Sequence, residues 1–265
     1  AQELPSGFFQ ITGRDGNGNL NEVGLNNPDL IGVYAPALLG STLFEQTRFS
    51  ARLRTLFQYL RTHTGLGTTN GLEAGAFVRT PLASDIPDVQ LHFIPAFMLD
   101  HAREMGPGHG FMLHACQLRP HSRGEIDLWS ADPMAAPKIA PRYLSDPRDV
   151  AVMVEAVKLC RRIFAQAAFD EFRGDEHLPG AAVQTDEEIA ESVRRHGETI
   201  YHPVGTCKMG AASDDLAVVD QHCRVHGLDG LHVIDASVFP LLPGGNTNAP
   251  TIMVAERMAA HLEAG

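Results

Sequence analysis

The sequence contains no run that approaches the ~18 consecutive apolar residues of a membrane-spanning helix. Basic residues are also in short supply, with 21 Lys and Arg against 32 Asp and Glu, which gives a formal net charge of −11. Nucleic acids and anionic membrane surfaces do not attract an acidic protein. We therefore expect neither a membrane span nor a nucleic-acid partner, in a chain whose composition is that of an ordinary globular protein.

Cysteine is scarce, and no Cys-x-x-Cys pair occurs among the four, which are Cys116, Cys160, Cys207 and Cys223. This number is too small for a disulfide scaffold, and the spacing is wrong for a zinc site. Residues 15–19 resemble the start of a calcium loop, but Leu20 stands where that loop needs glycine. We expect free thiols and no bound metal. Because the N-terminus also lacks the pattern of a signal peptide, a cytoplasmic location is favoured.

The sequence has no Gly-x-Gly-x-x-Gly turn between a strand and a helix, the element that binds the adenylate half of a dinucleotide. The nearest glycine cluster, Gly13–Gly18, has neither the required spacing nor a preceding strand. This chain is therefore not expected to bind a dinucleotide cofactor tightly by itself.

Hydrophobic periodicity predicts an α+β fold. Helical spacing marks residues 47–63, 147–167 and 186–196, and a last helix is predicted from Pro250 to about Leu262. Short runs bounded by glycine and proline predict strands at residues 76–79, 89–94, 111–118, 125–129 and 231–234. Two of these runs alternate apolar and polar residues, which favours an antiparallel sheet flanked by helices. The first forty-odd residues, rich in glycine and asparagine, are predicted to be loops.

Three of the predicted helices carry specific markers. The first has an apolar stripe formed by Phe49, Leu53, Leu56, Phe57 and Leu60. Asp146 is placed to cap the second, which has Val150, Val154, Val157 and Ile163 on one side. Asn248 is placed to cap the last, whose apolar face is predicted to consist of Ile252, Ala255, Ala259 and Leu262.

The most informative segment is residues 201–210, Tyr-His-Pro-Val-Gly-Thr-Cys-Lys-Met-Gly. Histidine is the usual general base near neutral pH. Thirteen histidines occur in the chain, so His202 is distinguished only by its setting. Pro203 stiffens the backbone beside it, and Gly205 permits a tight turn just after it. We interpret His202 as a candidate general base.

Three segments in order, residues 201–210, 233–237 and 244–252, resemble the C-terminal half of the glucose-methanol-choline (GMC) family of flavin-dependent alcohol oxidoreductases. Further similar segments, among them residues 70–77 and 118–126, extend the resemblance to roughly residues 65–263. The resemblance implies that His202 accepts the proton of an alcohol and that Asn246 contacts the substrate oxygen. It also implies FAD as the cofactor.

The residues that the resemblance implies beside FAD are Tyr201, Asp235, Ala236, Asn246 and Thr247. The backbone N–H of Thr247, at the start of a helix, is the candidate contact to the negatively charged edge of the reduced flavin. Asp235 has a plainer alternative role, because an aspartate at the end of a strand often caps the next turn.

The resemblance further implies a division into a substrate-binding domain, residues 1–200, and a second part, residues 201–265. The second part would contain the catalytic turn, and a strand and helix that complete an FAD-binding α/β domain. The rest of that domain would come from a complementary N-terminal chain or fragment, either a nicked precursor or a separate subunit. We expect an FAD-dependent alcohol oxidase or dehydrogenase that needs this complementary half.

Several alternatives stay open. The GMC family includes hydroxynitrile lyases, which use the same histidine as a base without redox turnover, and the chain could also be an inactive binding domain. Choline as substrate would need a site for its cation, for which Glu73 is a candidate, although a salt bridge or a helix-end role is the favoured explanation of Glu73. The apolar strands near Phe93, Phe97 and Phe111 suit a neutral alcohol as well. Oxygen and other electron acceptors are not distinguished.

Overall fold

The computed structural model describes residues 9–11, 28–34, 42–99, 104–106 and 108–264. The stretch that resembles a calcium loop, residues 15–19, lies outside the described residues. The chain divides into two compact units. The first contains Pro28–Gln117 and Val150–Glu198, and the second contains Leu118–Asp149 and Thr199–Gly265. The functional division at residue 200 stays a prediction.

The described residues form ten strands: β1 (Phe9–Ile11), β2 (Pro28–Tyr34), β3 (Ala74–Val78), β4 (Val89–Ile94), β5 (Met98–Leu99), β6 (Glu104–Met105), β7 (Gly110–Gln117), β8 (Glu125–Asp127), β9 (Lys138–Ala140) and β10 (Glu176–Leu178). Their α-helices are α1 (Phe49–Thr62), α2 (Pro147–Phe164), α3 (Asp186–His196) and α4 (Asn248–Ala264). Short 3-10 helices lie at Leu43–Thr47, Leu66–Thr68, Ala167–Phe169 and Ala236–Val238. None of the helices in this described part has the length and apolar composition needed to cross a membrane.

The first unit is built on a six-stranded antiparallel sheet in the order β1-β3-β4-β7-β2-β10. One face of the sheet carries Phe93 and Phe111, whose rings pack against Phe164 of α2 and Phe169. Along α2 the buried side chains recur at helical spacing: Val150, Met153, Val154, Val157, Cys160 and Phe164. The predicted α+β fold, with an antiparallel sheet and flanking helices, is confirmed.

The helix caps of this fold follow the sequence. The Asp146 carboxylate accepts the backbone N–H of Arg148 at 2.9 Å, so it caps α2 as predicted. The α3 helix begins with a capping box, in which Thr185 accepts the N–H of Glu188 and the Glu188 carboxylate accepts the N–H of Thr185. Local chemistry of this kind explains why the predicted and observed bounds of α3 coincide.

The prediction of loops throughout the first forty residues was wrong, because β1 and β2 lie there. The apolar run in β2 is broken by Gly32 and preceded by a stretch rich in asparagine, which obscured the strand. β2 also obtains its hydrogen bonds from β7 and β10, which are distant in sequence. Pairing over such distances is not readable from local composition.

The predicted strand at residues 231–234 was also wrong, since within the described residues it makes a single bridge, between Arg224 and His232. Two backbone hydrogen bonds hold it: the N–H of Val225 donates to Leu231, and that of Val233 donates to Cys223. Val233 and Ile234 still pack against the core of the second unit. The segment is therefore apolar because it supports this core.

The core of the second unit contains Val219, Cys223, Val238 and Met258. α4 contributes Met258 and the partly buried Val254, which lie one turn apart. The predicted apolar face of α4 was wrong, because Ile252 and Leu262 are 53% and 48% exposed. The helix is apolar on more than one side, so periodicity alone could not select the side that packs.

The apolar stripe of α1 is exposed to solvent. Its five side chains are 51–74% exposed: Phe49, Leu53, Leu56, Phe57 and Leu60. The opposite side of the helix carries the buried Ala51 and the half-buried Thr55, whose hydroxyl accepts a hydrogen bond from the Gln46 amide at 3.0 Å. α1 is thus amphipathic, but its large apolar side chains face solvent and its small and polar side chains face the protein.

Candidate active site around His202

The backbone around His202 is held in an unusual conformation. Tyr201, just before the histidine, has φ +65°, in the left-handed region that residues with a side chain rarely adopt. Its N–H donates to the Thr199 hydroxyl at 2.9 Å. Thr199 also hydrogen-bonds to Tyr143, and burial raises the pKa of this phenol. Gly205 has φ +89°, in agreement with the predicted tight turn after His202.

The segment that carries His202 is anchored to the 3-10 helix at Ala236–Val238. The N–H of Cys207 donates to the Ser237 carbonyl at 3.1 Å, and the N–H of Met209 donates to the Val238 carbonyl at 2.8 Å. Met209 and Val238 belong to the core of this unit. Residues 201–210 and 235–238 are therefore parts of one packed structure.

The imidazole of His202 lies between two residues of the C-terminal loop. Its Nε2 atom is 3.0 Å from the amide nitrogen of Asn246, and its Nδ1 atom is 3.0 Å from the hydroxyl of Thr247. His202 and Thr247 are each only 4% exposed, whereas Asn246 is exposed. The Nε2 side of the ring is therefore the side near the surface. The family resemblance implied that His202 and Asn246 would lie side by side, but the side-chain contact with Thr247 was not predicted.

The loop that carries Asn246 depends on Gly244, which has φ +78°. A Cβ atom at this position would lie 2.3 Å from Nη2 of Arg119. The segment that follows Arg119 is held by the buried Asp149, which accepts the N–H groups of His121 and Ser122. Gly244 is thus required by its conformation and by the guanidinium beside it.

α4 starts two residues before the predicted start at Pro250, and the residue before the helix lies one position before the predicted cap. The helix begins at Asn248, so Thr247 precedes it and Asn248 is not the cap. The Thr247 carbonyl accepts both the N–H and the hydroxyl of Thr251. Thr247 would be an ordinary capping residue by its type. Its hydroxyl contacts His202 instead, which is why residue preferences alone gave the wrong position.

Three other candidate cofactor residues lie in the same unit, namely Tyr201, Asp235 and Ala236. The Asp235 carboxylate accepts the N–H of Ser237 at 2.8 Å, so it caps the 3-10 helix that Ala236 begins. This is the plainer of the two roles considered for Asp235. Tyr201 adjoins His202 in the chain, and its side chain is 52% exposed. The cofactor roles of these three residues stay predictions.

A pair of half-buried histidines lies in the sheet of the first unit. His92 of β4 and His114 of β7 are directly opposite each other in the sheet. Burial, and then the charge of His92, lowers the pKa of His114 to about 3. Next to it on β7, burial raises the pKa of the Cys116 thiol to about 12. His114 and Cys116 are therefore neutral at physiological pH. Among the described residues, no group of three or more His, Cys, Asp and Glu side chains could hold a metal ion.

The residues considered for substrate binding have different surroundings. Phe97 and Phe111 are fully buried, and Phe111 belongs to the aromatic cluster beneath α2, so these rings stabilise the core of the first unit. Glu73 is exposed just before β3, and its N–H donates to the Phe93 carbonyl at 3.1 Å. All four cysteines are free thiols. Phe97 and Phe111 thus have a core role, and the suitability of the nearby apolar strands for a neutral alcohol stays a prediction.

Comparison with known proteins identifies the family. The GMC oxidoreductase profile matches residues 120–255, about half of the chain. An oxygen-dependent choline dehydrogenase of Brucella melitensis is 43% identical over 242 residues, which cover 91% of this chain and 44% of that protein. An alcohol dehydrogenase (acceptor) of Pseudomonas putida is 43% identical over 244 residues, with the same coverage. The chain therefore spans less than half the length of these relatives.

Solved structures support the fold. A formate oxidase of Aspergillus oryzae has a TM-score of 0.77 at 23% identity, with 90% of this chain and 46% of that chain covered. A pyridoxine 4-oxidase of Mesorbium loti has a TM-score of 0.71 at 23% identity, with 91% and 43% covered. These likenesses extend over most of the chain. Together with the family profile and the ordered motifs around His202 and Asn246, they lead to one conclusion: the chain belongs to the GMC oxidoreductase family.

Proposed function

We propose that this chain is the C-terminal part of an FAD-dependent alcohol oxidoreductase in which His202 is the general base. The main support for this proposal is the contact of His202 Nε2 with Asn246 Nδ2 at 3.0 Å, between residues 44 positions apart. The buried ring has one nitrogen directed to the near-surface amide of Asn246. This arrangement suits the removal of a proton from a hydroxyl group held by that amide.

FAD is the cofactor that accompanies this family, and the second unit fits it. The start of α4 offers N–H groups and partial positive charge for the negatively charged flavin edge. Tyr201, Asp235, Ala236, Asn246 and Thr247 are the residues that would hold the cofactor. When bound, FAD supplies the hydride acceptor for oxidation of the alcohol carbon.

In this proposal, residues of this chain bind the substrate oxygen and accept its hydroxyl proton. The Asn246 amide donates to the substrate oxygen, and Nε2 of His202 accepts the hydroxyl proton. In the structure the amide N–H contacts Nε2 itself at 3.0 Å, so a bound substrate oxygen has to take over this N–H, which frees the Nε2 lone pair for the hydroxyl proton. Loss of such a base typically lowers the rate ~10²–10⁴-fold.

A complementary flavin-binding part is needed for this activity. The chain spans 44% of its choline dehydrogenase relative, and it has no dinucleotide-binding glycine turn. The exposed apolar stripe of α1 supports the requirement, since five large apolar side chains on one helix face are typical of an interface. In the second unit, Ile252 and Met253 of α4 are more than half exposed as well.

The charges of α1 indicate what surrounds its apolar stripe in the complete enzyme. Arg48, Arg52, Arg54 and Arg61 belong to or adjoin the helix, and Phe49–Thr62 contains no acidic residue. Arginine and aromatic side chains are enriched at the centres of protein interfaces. We expect the complementary part to have an apolar surface with a border of acidic residues.

Co-production of this chain with a flavin-binding polypeptide tests the α1 interface. Leu56→Glu should abolish co-purification, because it adds a charge to the apolar stripe. Gln58→Glu adds the same charge on the opposite side of α1 and should leave co-purification intact. Equal co-purification of both variants would show that another surface makes the contact. Binding of the chain to lipid vesicles, or its self-association through α1, would show that a membrane or a second copy covers the apolar stripe instead.

The catalytic proposal is tested by anaerobic reduction of the purified holoenzyme with an alcohol, followed by flavin absorbance. His202→Asn should slow bleaching ~10²–10⁴-fold without loss of bound flavin. His63→Asn is the matched control, because His63 is exposed at φ +51°, a conformation that asparagine tolerates. Bleaching of the His202 variant at the rate of the control would refute the role of His202.

The same measurement separates the other candidate functions. A hydroxynitrile lyase would cleave a cyanohydrin without bleaching its flavin, and it would still lose activity in His202→Asn. An inactive binding domain would show neither reaction. The oxidoreductase is favoured because the relatives include a choline dehydrogenase and an alcohol dehydrogenase.

Choline is the substrate that the relatives suggest, and a neutral alcohol is the alternative. The carbon analogue 3,3-dimethylbutan-1-ol has the shape of choline without its charge, so the ratio of the two kcat/KM values measures recognition of the cation. If Glu73 contacts that cation, Glu73→Gln should lower this ratio, whereas a surface role for Glu73 would leave it unchanged.

A cytoplasmic location also stays a prediction, supported by the four free thiols.

A further inference from the structure

We infer that Thr247 is a positioning residue, whose hydroxyl fixes the tautomer of His202 and keeps Nε2 available as the proton acceptor. This inference rests on the proposed function, because it concerns how His202 acts as a base. It assigns to the Thr247 side chain a role separate from the backbone contact expected at this position.

The two contacts of the imidazole define the tautomer. A side-chain amide nitrogen only donates hydrogen bonds, so Nε2 of His202 accepts at its 3.0 Å contact with Asn246. In a neutral imidazole the other nitrogen then carries the hydrogen. Nδ1 therefore donates to the Thr247 hydroxyl, at 3.0 Å. The hydroxyl is the acceptor that this tautomer requires.

Burial makes the contact important. His202 and Thr247 are each 4% exposed, so bulk water has little access to the Nδ1 side of the ring. A buried N–H without an acceptor is costly. If the hydroxyl were absent, the tautomer with hydrogen on Nε2 would gain population, and that tautomer cannot take a proton from a substrate at Nε2.

The contact also suits both protonation states of the base. Neutral His202 in this tautomer and the imidazolium formed after proton transfer both carry hydrogen on Nδ1. The Thr247 hydroxyl accepts it in each state, so this side of the ring need not rearrange during the reaction. Thr247 is itself held at the start of α4, where its carbonyl accepts the N–H of Thr251 at 3.0 Å and the Thr251 hydroxyl at 2.7 Å.

Kinetics of the holoenzyme provide the first test. Thr247→Val removes the hydroxyl at nearly constant shape and should lower kcat/KM about 10- to 100-fold. Because the imidazolium also loses an acceptor, the acid limb of the kcat/KM profile should move to lower pH. Thr247→Ser should restore both properties. Thr64→Val makes the same change at an exposed residue whose hydroxyl contacts Thr62, and it should leave both unchanged.

The ring nitrogens provide a second test that does not depend on turnover. In protein labelled with 15N-histidine, the His202 signals, assigned by their loss in His202→Asn, should show hydrogen on Nδ1. Thr247→Val should shift them toward the other tautomer. Hydrogen on Nε2 in the unmodified protein, or an unchanged tautomer and pH profile in Thr247→Val, would overturn the inference. Full activity of His202→Asn would instead refute the proposed function.

Discussion

His202 and Asn246 meet at 3.0 Å although 44 positions separate them in the chain, and each comes from a loop with its own positive-φ residue. Tyr201 bends the chain before the histidine, and Gly244 bends it before the asparagine. The side chains therefore meet because two local bends are fixed independently. Changes to either bend, or to the charge at the contact, should alter the site in ways that can be measured.

Asn246→Asp should impair the enzyme through charge. A carboxylate 3.0 Å from Nε2 favours the protonated imidazole, so a larger fraction of His202 would be unable to accept a proton at neutral pH. The acid limb of the kcat/KM profile should move to higher pH by about one to three units. Gln221→Glu, the same change from amide to carboxylate at an exposed residue of the second unit, is the control and should leave the profile in place. A profile unaffected by Asn246→Asp would argue against Nε2 as the proton acceptor.

Gly244→Ala should lower both stability and activity. A residue with a Cβ atom pays about 1–2 kcal/mol in the left-handed conformation. The new methyl group would also lie 2.3 Å from Nη2 of Arg119, which adds about 0.5–1.5 kcal/mol if that side chain leaves its rotamer. Gly227→Ala is the control, with a similar φ of +77° and no atom within 4 Å of the added carbon. Chemical denaturation should rank Gly244→Ala as the more destabilising change, and kcat should fall only in that variant; equal effects would remove the part assigned to Arg119.

The stability of the protein should depend on His114 in acid. The pKa of this residue is lowered to about 3 by burial and by His92, whereas an unfolded histidine titrates near 6.5. Between these values the unfolded state binds the proton and the folded state does not, so the free energy of unfolding rises with pH. The contribution is fully present above about pH 6.5 and falls by about 1.4 kcal/mol for each unit below it. Denaturation curves at several pH values should show a smaller slope for His114→Leu, and an unchanged slope would mean that His114 is protonated in the folded protein.

Local patterns in the sequence predicted elements whose causes are local. The observed bounds of β4 and α3 match the predicted ranges, because an alternating run and a capping box mark their ends. β2 and β10 were missed, since they exist through pairing with each other and with β7. Long-range pairing of this kind leaves little trace in the composition of a single segment.

Periodicity also identified helix faces without identifying their surroundings. Phe57 and Leu60 of α1 were correctly assigned to one stripe, but that stripe is exposed, and Ala51 is the residue that packs inward. In the candidate site, the contact of His202 with Asn246 was predictable through family resemblance. The hydroxyl of Thr247 was not, because threonine before a helix suggests a cap, and its partner comes from a segment 45 residues away.

The left-handed conformation of Tyr201 costs stability, yet it belongs to the bend that leads into the candidate base. A tyrosine at φ +65° costs about 1–2 kcal/mol, and glycine or asparagine would adopt the same bend with less strain. A search for a more stable protein would therefore favour substitutions at position 201. Each of them would also remove a half-exposed ring next to the candidate base. Improved tolerance of heat and an intact site are competing aims at this residue.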